Sequence, residues 1–599
     1  MNQRKSADVA KLVCLPRLLG FIFLLIAVAS AAPPAADPRF EALSKRYLNE
    51  FPALSPVSAT LLGDHRFDGK LDEIGPEARQ REAAFSQRYL DELSQIPRGS
   101  LSRANQVDAK LLEHQLRDGL WQLNELREWE WNPLLYTRLT GSAIYGLMAR
   151  DFAPLRQRLN NAAMRLEQFP RLLRQIREEL KPAKMPKIHA ETAVKQNRGV
   201  LSILTHMVEP RLSSLPANEQ DRLRAAIETA GNATDEHQRW LEKVVLPKAK
   251  GNFRIGAEVF DKKLAFRLHS AMTRAEVRRR AKSELKRVRD EMYSIAKGIY
   301  RREYEYTELP AAPSEAYQQA IIRAALEVAY RQLPPRDKMV ETAREQLDQA
   351  TKFVRQADFV SVPDNPVEII VMPEFQRGVS LAYCDSPGPL DAGQKTFYAV
   401  APLPKDWTEQ QVNSFLREYN VFSLRNLTVH EAMPGHYLQI AHSNRYPSPL
   451  RAVLSSGVFI EGWAVYGEHL MVEHGYLDSD PLMHLVVLKW YLRGIANALM
   501  DQAIHAGSMT REEAMKLMVE DTFQEEREAA AKWVRAQLTS AQLSTYFVGF
   551  LQHIDMRKAA KAAWGEEYSA KRYHDTALSF GSPPVPFVRA LLLDLPIPQ

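Results

Sequence analysis

The stretch His430-Glu431-Ala432-Met433-Pro434-Gly435-His436 brings two imidazoles and a carboxylate into a short span. In the familiar H-E-x-x-H arrangement, two histidines four apart share one helix face and grip one metal, with the glutamate as general base. Here the second histidine is six apart. On a straight α-helix that puts it about 240° round from the first. Pro434 removes a backbone donor that would bond the carbonyl of His430, and Gly435 permits unusual φ. A bulge or break there would turn His436 back towards His430. The same Pro-Gly pair would also mark an ordinary helix end.

Hydrolysis by zinc requires three protein ligands, an open position for water, and a base beside that water. His430 and His436 are candidate ligands and Glu431 the candidate base. A third ligand should come from a separate element downstream, and Glu461 in EGWAVYGEHL is the candidate. Glu468 lies seven beyond it on the same side of a helix, placed to support a ligand. Near the C-terminus, Tyr546, His553 and Arg557 form a polar stripe at i, i+7 and i+11. A tyrosine hydroxyl or a histidine there could stabilise an oxyanion; the alternative is a half-buried tyrosine with a surface histidine and arginine. Asp501 and His505, at i and i+4, are either a helix-surface pair or an orienting pair behind a ligand. His442 and His574 have no partner in the sequence and are taken as structural. One zinc ion is expected, although two histidines and a carboxylate also suit iron or manganese.

The elements that must position these residues are mostly helices. Glycine is scarce, 26 in 599 residues, and Leu, Ala, Glu, Arg and Gln abound. The positions Leu155, Leu159, Ala162, Leu166, Phe169, Leu173, Ile176 and Leu180 form an apolar seam at helix period, which Pro170 should kink or split. Thr273-x-x-Glu276 and Thr510-x-x-Glu513 have the spacing of capping boxes that open helices. VEIIVM (367–372) and TFYAV (396–400) are β-rich, predicting a small two-stranded hairpin just before the histidine motif. Its edge could pair with an extended peptide or be purely structural.

A formal charge of +6 on a chain this long is no nucleic-acid footprint, because basic and acidic residues are interspersed. The most basic stretch, Arg274 to Arg302, carries apolar residues at helix period and is expected to be a solvated outer face. Arg4, Lys5, Lys11 and Arg17 precede the apolar run Leu18 to Ala29, and Ala29-Ser30-Ala31 fits a cleavage site. Residues 1–31 are therefore expected to be a signal peptide and the mature protein to be exported, periplasmic or secreted. It is expected to have no stable membrane association. Cys14 would be lost on cleavage, leaving Cys384 with no partner for a disulfide.

The chain resembles the domain-of-unknown-function 885 (DUF885) family, bacterial proteins similar to the gluzincin metallopeptidases. The matching text is HEAMPGHYLQIA (430–441), FIEGWAVYGEHL (459–470), DQAIHAGSMTREEAM (501–515) and YFVGFLQHIDMR (546–557), with FRIGAEVF (253–260) upstream and RYHDTALSFGSPPVPFVRALL (572–592) at the end. The resemblance covers roughly 40 to 595. It implies a mainly α, two-lobed fold with a deep cleft, like angiotensin-converting enzyme and the thimet-type oligopeptidases. It makes His430, His436 and Glu461 the zinc ligands, Glu431 the base and Tyr546 the transition-state tyrosine. Two departures stand out. The histidines are six rather than four apart, and Val465 occupies the place where those enzymes often carry an aspartate that orients the first histidine. Glu468 or Asp501 would have to supply that acid.

Together these features lead to the expectation of an N-terminal helical lobe over 32–260 and a catalytic helical lobe over 261–599. The expected activity is that of an exported zinc-dependent peptidase acting on short peptides. A metal-dependent hydrolase of another amide or ester, and a non-catalytic helical binding protein with a relic motif, are the alternatives.

Overall fold

The computed structural model describes residues 36–304, 308–364, 367–372, 381–391, 393–404 and 407–598. The expected signal segment, with Cys14, lies outside the described residues. Helix accounts for 73% of the chain and strand for 3%, so the fold is mainly α as expected. Among the described residues no helix is long and apolar enough to cross a membrane.

Local sequence explains the helix boundaries. The seam at 155–180 divides into helices Leu155–Leu166 and Phe169–Glu179, with Pro170 in the first turn of the second, where its missing N–H costs nothing. Thr510 and Glu513 exchange both bonds of a capping box. Thr273 makes only the forward bond, its hydroxyl accepting from the Glu276 N–H at 3.2 Å, and opens the 30-residue helix α1, Arg274–Glu303. Helix α1 buries Val277, Ala281, Val288, Met292 and Ile299. Its arginines turn outward to pair along the helix, Arg279 and Arg280 with Glu276 and Arg287 with Glu284 and Glu291.

The β-rich segments correct one expectation. Strands β1 (Glu368–Val371), β2 (Ala382–Asp385) and β3 (Phe397–Val400) form one sheet in the order β1-β3-β2. The two segments read from the sequence, now β1 and β3, are parallel neighbours with Glu368 opposite Phe397, so they cannot be a hairpin. The strand between them in sequence, β2, pairs antiparallel to β3 with Cys384 opposite Tyr398. Its four residues, Ala-Tyr-Cys-Asp, are too short and too mixed to announce a strand.

Six further helices carry the site: α2 (Val421–Glu431), α3 (His436–Ser443), α4 (Gly457–Glu473), α5 (Pro481–His505), α6 (Glu526–Leu538) and α7 (Thr545–Trp564). Helices α4 and α7 cross nearly backbone to backbone. A Cβ at Gly549 would stand 2.2 Å from the Val458 carbonyl oxygen, and one at Gly462 would stand 2.4 Å from the Gly549 carbonyl carbon. Only glycine at both positions allows this approach, which fixes the face of α4 that bears Glu461.

Buried apolar side chains fall into separate clusters. One runs from Val57 to Ala249 and another from Phe260 to Val588. Polar bonds tie the two halves together. The Lys263 ammonium donates to Glu128 at 2.6 Å and to the Ser540 hydroxyl at 2.9 Å. The fully buried Arg451 guanidinium donates to Asp108 at 2.5 Å and to the carbonyls of Ala104 and Phe580. Arg150 donates to Asp385 at 2.6 Å, anchoring the end of β2 to the N-terminal helices.

Candidate metal centre

The histidine motif does break its helix. Helix α2 ends at Glu431, α3 begins at His436, and residues 432–435 make the turn between them. The turn is held from several sides. The Gly435 N–H donates to the Val429 carbonyl at 2.9 Å, and the Trp463 indole N–H of α4 donates to the Pro434 carbonyl at 2.8 Å. A Cβ on Gly435 would lie 1.9 Å from the His430 carbonyl oxygen, so no other residue fits. The outcome is the one the odd spacing required: the imidazoles of His430 and His436 stand edge to face with centroids 4.8 Å apart.

Glu461 completes the group. The Nε2 atoms of His430 and His436 lie 3.8 and 3.7 Å from its Oε2, and the ligand atoms of all three residues fall within 4.8 Å of one another. Two ligands about 2.1 Å from a tetrahedral ion stand about 3.4 Å apart, so the triad matches such an ion to within small adjustments. The Glu461 Oε2 and the His436 Nδ1 are buried without a hydrogen-bond partner. An orphaned carboxylate oxygen facing two imidazole nitrogens is costly unless a cation takes it up. The residues therefore fit a divalent metal ion of the His, His, Glu type.

The surroundings orient these groups. His430 is tied through Nδ1 to the Glu468 carboxylate at 2.7 Å, which leaves Nε2 for the cluster. Glu468 in turn accepts from the Asn426 amide at 2.6 Å. Glu468 thus supplies the orienting acid that Val465 does not. Burial, together with the charge on His430, lowers the His436 pKa to about 4, so the ring is neutral at pH 7 and one of its nitrogens has a free lone pair. Burial, reinforced by the neighbouring acids Glu461 and Glu468, lifts Glu431 to about 7, against the opposing pull of His430 and the Cys384 N–H. A carboxyl poised there can take and return a proton. The backbone N–H of Cys384 on β2 donates to Glu431 Oε2 at 2.9 Å and fixes its carboxylate. The Cys384 thiol itself is pushed by burial up to about 12, so it is no nucleophile.

The C-terminal stripe separates. Tyr546 belongs near the triad: after burial, the Glu461 charge contributes most to raising its hydroxyl pKa, and the hydroxyl accepts from Arg535 at 3.3 Å and from Gln542 at 3.5 Å. His553 is placed elsewhere. It is fully buried against Phe459, Trp463 and Tyr466, the face of α4 opposite Glu461, and its Nε2 bonds the Phe459 carbonyl at 3.0 Å. It is neither a surface residue nor within the triad, because the glycine crossing turns that side of α7 into the core. Arg557 pairs with Glu473 at 2.6 and 2.5 Å. Asp501 and His505 are buried rather than on a helix surface. Asp501 accepts from the N–H groups of Ala541 and Ser544 ahead of α7, and His505 bonds the carbonyls of Phe253 and Ala536. They hold the frame and do not support a ligand. His442 bonds the Ser361 carbonyl and His574 the Phe359 carbonyl and Tyr466 hydroxyl, as structural histidines do.

Three contributors went unseen in the sequence. Asn426 precedes His430 by one helical turn, a spacing that was available to find it. The Cys384 N–H and the Trp463 indole had no signal, since each depends on which elements meet in space.

A family model described as a bacterial protein of unknown function (DUF885) matches residues 56–592. The chain belongs to this family. Two solved structures resemble this DUF885 protein along nearly their whole length. One, from Shewanella oneidensis, is provisionally titled a lipoprotein of unknown function. It is 32% identical, covers 92% of this chain and 99% of its own, and has a TM-score of 0.78. The other, from Colwellia psychrerythraea and also provisionally titled a lipoprotein, is 19% identical over 93% and 99% with a TM-score of 0.76. PZ peptidase A with an inhibitor is 13% identical over 88% and 95%, but its TM-score of 0.29 carries no likeness of fold. No curated protein matches this DUF885 member.

Proposed function

We propose that the protein is a metal-dependent hydrolase of short peptides, with His430, His436 and Glu461 holding one zinc ion. The observation that carries this reading is the convergence of the three ligand atoms within 4.8 Å, with Glu431 next in sequence to the first. A zinc ion held there would supply Lewis-acid polarisation of a water molecule and of the scissile carbonyl. Glu431, fixed by the Cys384 N–H, takes a proton from the water as its oxygen bonds the carbonyl carbon. It returns that proton to the departing nitrogen as the C–N bond breaks. The Tyr546 hydroxyl donates to the oxygen that gains charge. Glu468 keeps His430 oriented throughout. Strand β2, whose Cys384 N–H faces the site, offers an edge along which an extended peptide can lie. Export is supported by the basic and apolar pattern of residues 1–31 and by the naming of the two structural relatives as lipoproteins.

The test is metal content by elemental mass spectrometry on the full mature chain and on His436→Ala, followed by a peptide-library digest of the zinc-loaded protein. About one zinc per chain, lost in the variant, with peptide cleavage abolished by chelator, supports the reading. Zinc without peptide cleavage moves the substrate to another amide or ester, and no bound metal at all overturns the reading.

A further inference from the structure

Strand β2 is held by different means at its two ends. Leu381 and Ala382, at its start, are buried in an apolar cluster with Leu416 and Leu427, whereas Tyr383, Cys384 and Asp385 are only half-buried. The strand pairs with β3 on one side, and on the other the Cys384 N–H donates to Glu431. A one-sided ladder of four residues leaves the Asp385 end to fray unless something beyond the ladder holds it.

That hold comes from the N-terminal helices. Arg150 lies just past helix Pro133–Met148, and its side chain is 10% exposed. One terminal nitrogen donates to the Asp385 carboxylate at 2.6 Å and to the Asp385 carbonyl at 2.9 Å, and the other donates to the Lys395 carbonyl at 2.7 Å. The same guanidinium stands over the Phe397 ring, 5.1 Å from its centroid. Asp385 and Phe397 face each other in the ladder, so one side chain grips both strands at one rung. The Tyr145 hydroxyl donates to the other Asp385 oxygen at 3.2 Å. The chain beyond β2 is pressed against the same half. The Leu390 N–H donates to the Leu62 carbonyl at 2.9 Å, and a Cβ on Gly388 would stand 2.3 Å from the Leu62 carbonyl carbon.

We propose that Arg150 is a positioning residue for Glu431: by clamping Asp385 it fixes the neighbouring Cys384 N–H, and through that N–H the carboxylate. The proposal rests on Glu431 acting as the base and adds a requirement from the other half of the molecule. An N–H···O bond holds over only about 2.7–3.2 Å, so a strand end that drifts by about half an ångström loosens the grip on Glu431. Burial of the Arg150–Asp385 pair makes that drift costly, since either charge left alone would be poorly solvated. The N-terminal helices thus act on Glu431 through a backbone donor of another element.

The experiment measures hydrolysis of a peptide identified in the library digest by the zinc-loaded full chain. It compares wild type, Arg150→Gln, Arg150→Lys and Lys263→Met, the last of which severs a different tie between the halves. Arg150→Gln is expected to lower kcat about tenfold or more, the size of one hydrogen bond to a charged group, with KM and zinc content kept within about twofold. Lys263→Met should leave kcat unchanged. In a Glu431→Gln background, Arg150→Gln should lower the residual turnover by less than about twofold, because the group it positions is already disabled. Arg150→Lys keeps a charge beside Asp385 and should recover part of the loss. Should Arg150→Gln not fold, Arg150→Lys carries the test: a kcat reduced at least about threefold supports the proposal and a wild-type kcat overturns it. A wild-type kcat in Arg150→Gln, an equal fall in Lys263→Met, or an undiminished effect in the Glu431→Gln background overturns the proposal while the peptidase reading stands. If wild type cleaves no peptide, the peptidase reading falls and amide hydrogen exchange at Cys384, read by mass spectrometry, decides whether Arg150 holds the donor. Exchange at least about tenfold faster in Arg150→Gln than in both wild type and Lys263→Met keeps that hold, and anything less removes it.

Discussion

Glu468 orients His430 from seven residues past Glu461, one helical turn further than the position Val465 occupies. Both acids lie on one side of α4, so a single helix bears one candidate ligand, Glu461, and the acid that orients another, His430. Substituting Glu468 by Gln keeps the shape but loses the charge that tightens the His430 bond. Zinc affinity should drop about 10- to 100-fold, read by competition with a chelating dye. Glu431→Gln should behave differently, with zinc content unchanged and peptide turnover down at least about 100-fold. A Glu431→Gln protein that kept full turnover would remove Glu431 from the chemistry. At this scale the sequence was informative where residue type alone speaks. The three candidate ligands His430, His436 and Glu461 converge with Glu431 next in sequence to the first, and Asn426 could have been found from its spacing. His553 shows the limit: it lies on the same helix as Tyr546 at a spacing that suggests a shared face, yet the packing of α7 on α4 carries one to the cluster and the other to the core.

At the scale of elements, the site depends on two backbone approaches. The turn at 432–435 needs Gly435 against the His430 carbonyl, and the crossing of α4 and α7 needs Gly462 against Gly549. Gly549→Ala places a methyl group where the Val458 carbonyl stands, so the helices must separate. We expect a loss of about 1–3 kcal/mol of stability by denaturant titration, accompanied by weaker zinc binding because Glu461 moves with α4. An alanine variant with an unchanged midpoint would show that the helices can separate freely. Helix limits were legible because capping and proline rules act locally, as at Thr510 and Pro170. The sheet was only partly legible, since β2 is four mixed residues whose strand character comes from pairing with β3. The broken helix at Pro434 was foreseen as one of two outcomes, and the choice between them belonged to Trp463 and Val429, which hold the turn.

For the molecule as a whole, a few buried polar bonds connect the N-terminal helices to the half that bears the triad. Lys263 with Glu128 is one of them. Burial acts to raise the Glu128 pKa, but the Lys263 charge and hydrogen bond, joined by the Asn132 amide and the Arg267 charge, more than offset it and leave it below the ordinary value. A depressed carboxyl stabilises the fold above its unfolded pKa of about 4.3 and loses that contribution as pH falls through the lower folded value. Lys263→Met should therefore cost about 2 kcal/mol at pH 7, seen as a lower Tm. The gap to wild type should begin to narrow below the unfolded value of about 4.3 and close as pH falls through the depressed folded value, below which Glu128 is protonated in both proteins. A gap that stays constant down to pH 3 would show that the pair does not couple the halves through charge.

The contact between Glu431 and strand β2 has a bearing on how this site would appear in a mutational survey. The donor is the peptide N–H of residue 384, which every amino acid except proline possesses. Exchanging the thiol for a methyl or hydroxyl group removes nothing that Glu431 uses, so a scan by alanine or serine would pass over the position as silent. Proline alone would reveal it, by deleting the donor. The grip on Glu431 is thus encoded in the path of the chain, and two proteins could share it with no residue in common at that place.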